Sequence, residues 1–198
     1  MVSTSTRGWS QGWWSAAGRC DSPHYGPRPV GIGVELLIIH SISLPSGHFG
    51  GDAVERLFTN RLDCQAHAEF ESLRGLEVSA HFFVRRDGAL QQFVSCDSRA
   101  WHAGRSTWLG RDNCNDWSIG IELEGCEVGL FEATQYTSLS RLMRALRKRY
   151  PIAHVAGHEH VAPQRKRDPG PGFDWKGLRR RLRWPSAMFP THDTQARK

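Results

Sequence analysis

The segment VELLIIH, Val34 to His40, reads as a buried central strand that ends on a histidine. The segment WSIGIEL, Trp117 to Leu123, repeats the pattern with a stricter alternation. Its Ile119, Ile121 and Leu123 point one way, while Ser118, Gly120, Glu122 and the following Glu124 point the other. Between them, VSAHFFVRR (Val78 to Arg86) predicts a strand, Asp87-Gly88 a hairpin turn, and Ala89 to Val94 its return. A short helix is expected over Asp52 to Phe58, with Val54, Leu57 and Phe58 on one face. The strongest helical pattern runs from Thr134 to Tyr150, where Tyr136, Leu139, Leu142, Met143, Leu146 and Tyr150 form an apolar stripe. Basic residues gather at its carboxyl end, and Pro151 stops it. Ile152 to Gly157 predicts another short strand, and Lys176 to Arg183 a short basic helix. Strands and helices interleave, so the class is α/β: one domain, with a central mixed β-sheet flanked by α-helices. Residues 1–22 read as an irregular lead-in, 23–184 as the folded domain, and 185–198 as a loose tail.

The whole chain is 198 residues, 39% hydrophobic and 23% charged, which excludes fibrous and disordered classes. No apolar run approaches the ~20 residues needed to cross a bilayer, so no membrane partner is expected. Charge is uneven. From Arg141 onward there are 15 Lys/Arg and 4 Asp/Glu, or +11, against −5 for the first 140 residues. That asymmetry fits either an anionic partner or a solvated basic face. A nucleic-acid partner is not favoured, since no nucleic-acid motif accompanies the charge. Five cysteines without a CxxC pair, and an amino terminus without a basic and then apolar leader, point to a reducing cytoplasm. Cys114 reads as a small buried residue rather than a nucleophile.

Several polar residues occupy unusual places. His40 ends an apolar strand, His158 follows another, and Asp168 lies ten residues further along a Pro/Gly-stiffened loop. Two imidazoles and a carboxylate suit Zn²⁺ and leave a fourth position for water, the catalytic arrangement. On spacing alone His160 and Glu159 are rival ligands. Glu122 interrupts an apolar strand. If both sheet faces are covered, its carboxyl is desolvated and suited to general acid/base work; otherwise it lies on a solvated face with Glu124. Lys166, two residues before Asp168, is either an oxyanion-holding cation or one charge in the surface run QRKRD.

Five segments together carry a family resemblance: IIHSISLPSGHFGG (38–51), VSAHFFVRRDG (78–88), RAWHAG (99–104), CNDWSIGIELEG (114–125) and GHEHVAPQRKRDPGPGFDW (157–175). In order and at this length, they resemble the AmpD-type N-acetylmuramoyl-L-alanine amidases, within the wider zinc amidase and peptidoglycan-recognition-protein fold. The resemblance runs from about Pro23 to Trp175. It implies a cytoplasmic bacterial enzyme of cell-wall recycling, whose partner is its anhydromuropeptide substrate; the chain itself is expected to be a monomer. The bond cut is the amide between the lactyl group of 1,6-anhydro-N-acetylmuramic acid and L-alanine.

Carried onto this sequence, the resemblance implies one Zn²⁺ held by His40, His158 and Asp168. It makes Glu122 the catalytic acid/base and Lys166 the active-site lysine. Trp101 and His102 are expected to pack on the sugar, with core packing the alternative for Trp101. Arg99, Arg105 and Arg111 are candidates for the peptide carboxylates, since guanidinium matches carboxylate bidentately. Three positions depart from the family pattern: Ser41 where Asn is common, and Glu77 and Asn113 where basic residues are common. Those substitutions predict a weaker hold on the stem peptide. The alternatives to an enzyme are a non-catalytic module binding peptidoglycan fragments and a nucleic-acid-binding module.

Overall fold

The computed structural model describes residues 8–190. The strands are β1 (Trp9–Ser10), β2 (Trp13–Trp14), β3 (Gly18–Arg19), β4 (Tyr25–Pro27), β5 (Leu36–Ile42), β6 (Phe82–Val84), β7 (Leu90–Gln92), β8 (Ser98–Ala100), β9 (Thr107–Trp108), β10 (Arg111–Asp112), β11 (Ser118–Glu124) and β12 (His154–Gly157). The α-helices are α1 (Ala53–Phe58), α2 (Ala133–Arg149), α3 (His158–Val161) and α4 (Trp175–Leu182). Six strands form the central sheet in the order β12-β5-β11-β6-β7-β3. β12, β5, β11 and β6 run parallel, and the hairpin turn reverses the chain so that β6 and β7 are antiparallel. The sheet is therefore mixed and flanked by helices.

Side-chain parity on β5 and β11 decides what lies on each face. Leu37 and Ile39 of β5 join Ile119, Ile121 and Leu123 of β11 in the core beneath α2 and α4. The stripe on α2 supplies Leu139, Leu142, Met143 and Leu146, all fully buried. Each contributes roughly 1.5–3 kcal/mol by leaving water. Leu36 and Ile38 face the opposite way, into a second cluster with Ala103, Trp108, Cys114 and Trp117. His40, Gly120 and Glu122 share that parity, so the layer over them comes from residues 99–117 rather than from a long helix. Glu122 lies directly opposite His40 across the parallel ladder, and Gly157 pairs with Ile39. His40, Glu122 and His158 thus meet at the carboxyl ends of three adjacent strands, the usual ligand side of an open α/β sheet.

Residues 1–7 of the expected lead-in lie outside the described residues; the described parts of both peripheral segments carry more structure than the sequence suggests. In the lead-in, β1 and β2 form a hairpin, and β3 pairs with β7 to complete the sheet. Beyond residue 184, Met188 and Phe189 are buried in the main core, so the domain extends past that boundary. Residues 191–198 of the expected tail lie outside the described residues. Among the described residues, no helix is long and apolar enough to cross a membrane. All five cysteines are free. Burial pushes the Cys114 thiol up to about 11, consistent with packing rather than nucleophilic chemistry. In the basic carboxyl third, Arg141, Arg147 and Arg149 lie over the rings of Trp14, Trp184 and Trp9.

Candidate active site

Three ligand atoms converge where the strands end. His40 Nδ1 lies 3.0 Å from His158 Nδ1 and 3.2 Å from Asp168 Oδ2, and His158 Nδ1 lies 3.2 Å from the same oxygen. A tetrahedral ion with ligand bonds of about 2.0–2.1 Å has ligand–ligand edges of about 3.3 Å, so this triangle has the dimensions of three vertices around Zn²⁺. Chemistry agrees with size. The Nε2–H of His158 donates to the Ala103 carbonyl, at 3.2 Å, which leaves Nδ1 as the lone-pair atom turned into the site. All three residues are buried, and this is a grouping suited to a metal ion. The donor set fits the metal that the residue types suggest.

Electrostatics give each group a distinct state. Burial pushes the His40 imidazole down to about 4, with the neighbouring His158 acting in the same sense. It stays neutral, the form that ligates. Burial alone raises the Asp168 carboxyl, but the adjoining His158 and His40 imidazoles outweigh it and hold the group well below the usual range. Glu122 moves the other way. Burial first, and the Asp168 charge second, push its carboxyl well above the ordinary value, while Lys166 opposes them. Glu122 Oε1 is 4.0 Å from His40 Nδ1, and Oε2 is buried without a partner. The alternative of a solvated face shared with Glu124 does not hold: Glu124 is buried too and accepts from the Arg86 N–H at 3.0 Å.

These groups open into a cavity of about 290 Å³. His40, Ser41, Trp101, His102, Glu122, His158, Lys166 and Asp168 line its polar end, and Leu44, Phe58, Leu76 and Val78 are among its apolar wall. The Ser41 Oγ is a second buried oxygen without a partner. A larger cavity of about 720 Å³ lies beside α4, among Phe173, Trp175 and Phe189, away from these ligand atoms.

The other sequence candidates separate clearly. His160 serves its own helix: its Nδ1 accepts the Gly157 N–H at 3.0 Å and its ring packs against Trp175. Glu159 is not part of the metal grouping, although its N–H fixes the Asp168 loop by donating to the Asp168 carbonyl, at 2.8 Å. Arg99 is paired with Asp116 and lies over the Trp101 ring. Arg111 is 3.4 Å from Glu35 and stacks on Trp117. Arg105 and Glu77 are exposed, Glu77 just before the wall residue Val78. Asn113 has φ +53°, a left-handed conformation that Asn tolerates better than the basic residues common there. Arg165 is a residue that the sequence does not single out. Its guanidinium donates to the Ala103 carbonyl at 2.9 Å and to the Arg105 carbonyl at 2.7 Å, pinning the loop against which His158 is oriented. It stands in a run of charges that reads as surface, so only the folded loop reveals it.

Known proteins share this fold and sequence. The chain is 48% identical over 171 residues to the 1,6-anhydro-N-acetylmuramyl-L-alanine amidase AmpD of Citrobacter freundii, covering 85% of this chain and 91% of that one. A crystal structure of a selenomethionine AmpD derivative superposes with a TM-score of 0.85 at 48% identity, covering 87% of this chain and 98% of that one. At 20% identity, the fold extends to peptidoglycan recognition protein-LE, with a TM-score of 0.60 and 90% and 98% of the two chains covered. Residues 27–171 match the N-acetylmuramoyl-L-alanine amidase family profile, a span that contains all three converging ligands and Glu122. With its fold, site and sequence in agreement, the chain belongs to the N-acetylmuramoyl-L-alanine amidase family.

Proposed function

We propose that the protein hydrolyses the amide between the lactyl group of 1,6-anhydro-N-acetylmuramic acid and L-alanine, in the cytoplasmic recycling of cell-wall fragments. The relative's name supplies the substrate, and five free thiols suit a reducing compartment. The observation that carries the reading is the His40–His158–Asp168 triangle, with Glu122 4.0 Å from one of its corners. His40, His158 and Asp168 would hold one Zn²⁺, which would supply a Lewis acid and ease the deprotonation of water near neutral pH.

The chain's own groups do the rest. Glu122 Oε2, buried and unpaired, takes the proton of the attacking water and returns it to the departing amine of L-alanine. The Lys166 ammonium faces the same cavity and stabilises the oxyanion that develops on the lactyl carbonyl. The apolar wall excludes water, and Trp101 offers an indole face to the sugar. Ser41, Glu77 and Asn113 leave the peptide end with fewer hydrogen bonds and less positive charge, so the stem peptide is held more weakly than by the residues common in the family. All five reacting groups come from one chain, so the site needs no second subunit.

Glu122→Gln tests the assignment, because it keeps the shape of the neutral carboxyl and removes its proton-accepting form. The expected result is a loss of about 10²–10⁴ in kcat on an anhydromuropeptide, with zinc content unchanged. Near-normal turnover in that variant sinks the role given to Glu122.

A further inference from the structure

His102 lines the cavity, but its ring is committed elsewhere. Its Nδ1 lies 3.0 Å from His40 Nε2, and its Nε2 lies 3.2 Å from Ser118 Oγ. The two imidazoles meet edge to face, with centroids 5.1 Å apart and planes at 90°. Space for that seat exists because β11 carries glycine at position 120. A methyl group there would stand 2.4 Å from His102 Cγ and 2.5 Å from Nδ1. The backbone holds the loop from the other side: the Asn115 side-chain oxygen accepts the N–H groups of His102 and Ala103, at 3.2 and 2.9 Å.

Proton placement along this row has one solution when a cation sits in the triangle. His40 Nδ1 is then a bare lone pair, so the ring's proton is on Nε2 and must be donated. His102 Nδ1 accepts it, which puts the second proton of His102 on Nε2, from where it is donated to Ser118 Oγ. His158 needs no such arrangement, because a carbonyl, which only accepts, already fixes its tautomer. The two ligating imidazoles are thus oriented by different kinds of partner, one rigid and one able to exchange donor and acceptor roles.

We infer that His102 is a positioning residue of the metal centre, selecting the His40 tautomer that presents Nδ1 to zinc, with Ser118 as its backstop and Gly120 as its seat. The inference rests on the zinc reading above. It differs from the expectation that His102 packs on the sugar, because it ties the residue to metal affinity rather than to substrate binding. Outer partners of ligating histidines typically change metal affinity 10- to 100-fold when removed.

The test is zinc binding by the full-length protein, measured by competition with a chromophoric zinc chelator, alongside melting of the metal-free protein. His102→Phe keeps a ring but has no acceptor. His102→Asn keeps an acceptor oxygen near the place of Nδ1. Expected are a 10- to 100-fold weaker zinc affinity for His102→Phe and recovery of most of that loss in His102→Asn, with both metal-free variants still melting cooperatively. An affinity within threefold of the parent for His102→Phe overturns the inference, as does a His102→Asn variant no better than His102→Phe. Should His102→Phe fail to fold, Ser118→Ala decides: the inference expects a three- to tenfold weaker affinity, and an unchanged one refutes it. A parent protein that takes up no zinc refutes the zinc reading itself, a separate outcome.

Discussion

Gly120→Ala is the sharpest perturbation the structure offers, because one methyl group meets one ring. The added carbon would stand 2.4 Å from His102 Cγ, 2.5 Å from Nδ1 and 2.7 Å from Cδ2. Ordinary contact begins near 3.5 Å, so the imidazole must retreat by about 1 Å. The 3.0 Å bond to His40 then stretches to about 4 Å, beyond hydrogen-bond range. Overpacking costs about 1–3 kcal/mol and the broken bond at least about 1 more, so a loss of about 2–4 kcal/mol is expected. For a chain of this size each kcal/mol is worth about 2–4 °C, which places the fall in Tm at about 4–16 °C. Gly33→Ala is the control. Its new methyl would lie 3.8 Å from Glu35 Oε1 and from Pro151 Cγ, and Gly33 does not use a left-handed φ, so the change should be neutral or stabilise by about 0.4–1 kcal/mol. Thermal melts of both metal-free variants decide the matter. If Gly120→Ala melts with Gly33→Ala, the ring is not seated on β11 and the reasoning fails.

Three further outcomes are expected. His158→Ala should lose zinc and activity together, measured by metal analysis of the purified protein; full zinc occupancy would move the site elsewhere, with His160 the first rival. His81 is fully buried, accepts the Gly120 N–H at 3.0 Å, and is pushed down to about 3 by burial and by the charge of Arg28. The unfolded chain protonates it near pH 6.5 and the native state does not, so its share of stability is present above pH 6.5 and is lost as pH falls toward 3. Between pH 7 and 5 that loss is about 2 kcal/mol, and denaturant titrations of His81→Gln should show the fall reduced by that amount. Finally, Glu77→Arg should lower KM for a tripeptide substrate with kcat little changed, while a substrate bearing only L-alanine is unaffected; equal changes on both would show that position 77 does not read the peptide.

Much of this arrangement is legible in the sequence where period and parity are strong. The alternation in 117–123 and the apolar run in 34–40 mark two strands that carry Glu122 and His40, but only the ladder makes those strands neighbours and sets the two residues opposite each other. The spacing of His158, Glu159, His160 and Asp168 could not choose among them, because the choice depends on a turn of α3 and the fold-back of the Asp168 loop. Two-residue strands such as β1, β2 and β3 have no period to read, so the lead-in's structure was invisible. Charged residues mislead for a related reason. Arg28 carries no pattern that announces its role, yet its guanidinium donates to the carbonyls of Cys96, Asn115, Asp116 and Ser118, a task defined only by loops converging after folding.

The pairing of β3 with β7 bears on solubility. Without Gly18 and Arg19 the sheet would end on β7, a strand backed by the core and carrying unspent N–H and C=O groups. Such an edge is a template for a second chain. The preceding hairpin anchors the cover, because the Gln92 side chain accepts from the Trp14 N–H and donates to the Gly12 carbonyl, at 2.8 Å each. A fragment beginning at Ser22 would keep every catalytic group and still be prone to self-association. Residues 8–21 thus act as a guard against aggregation, remote from the chemistry they protect.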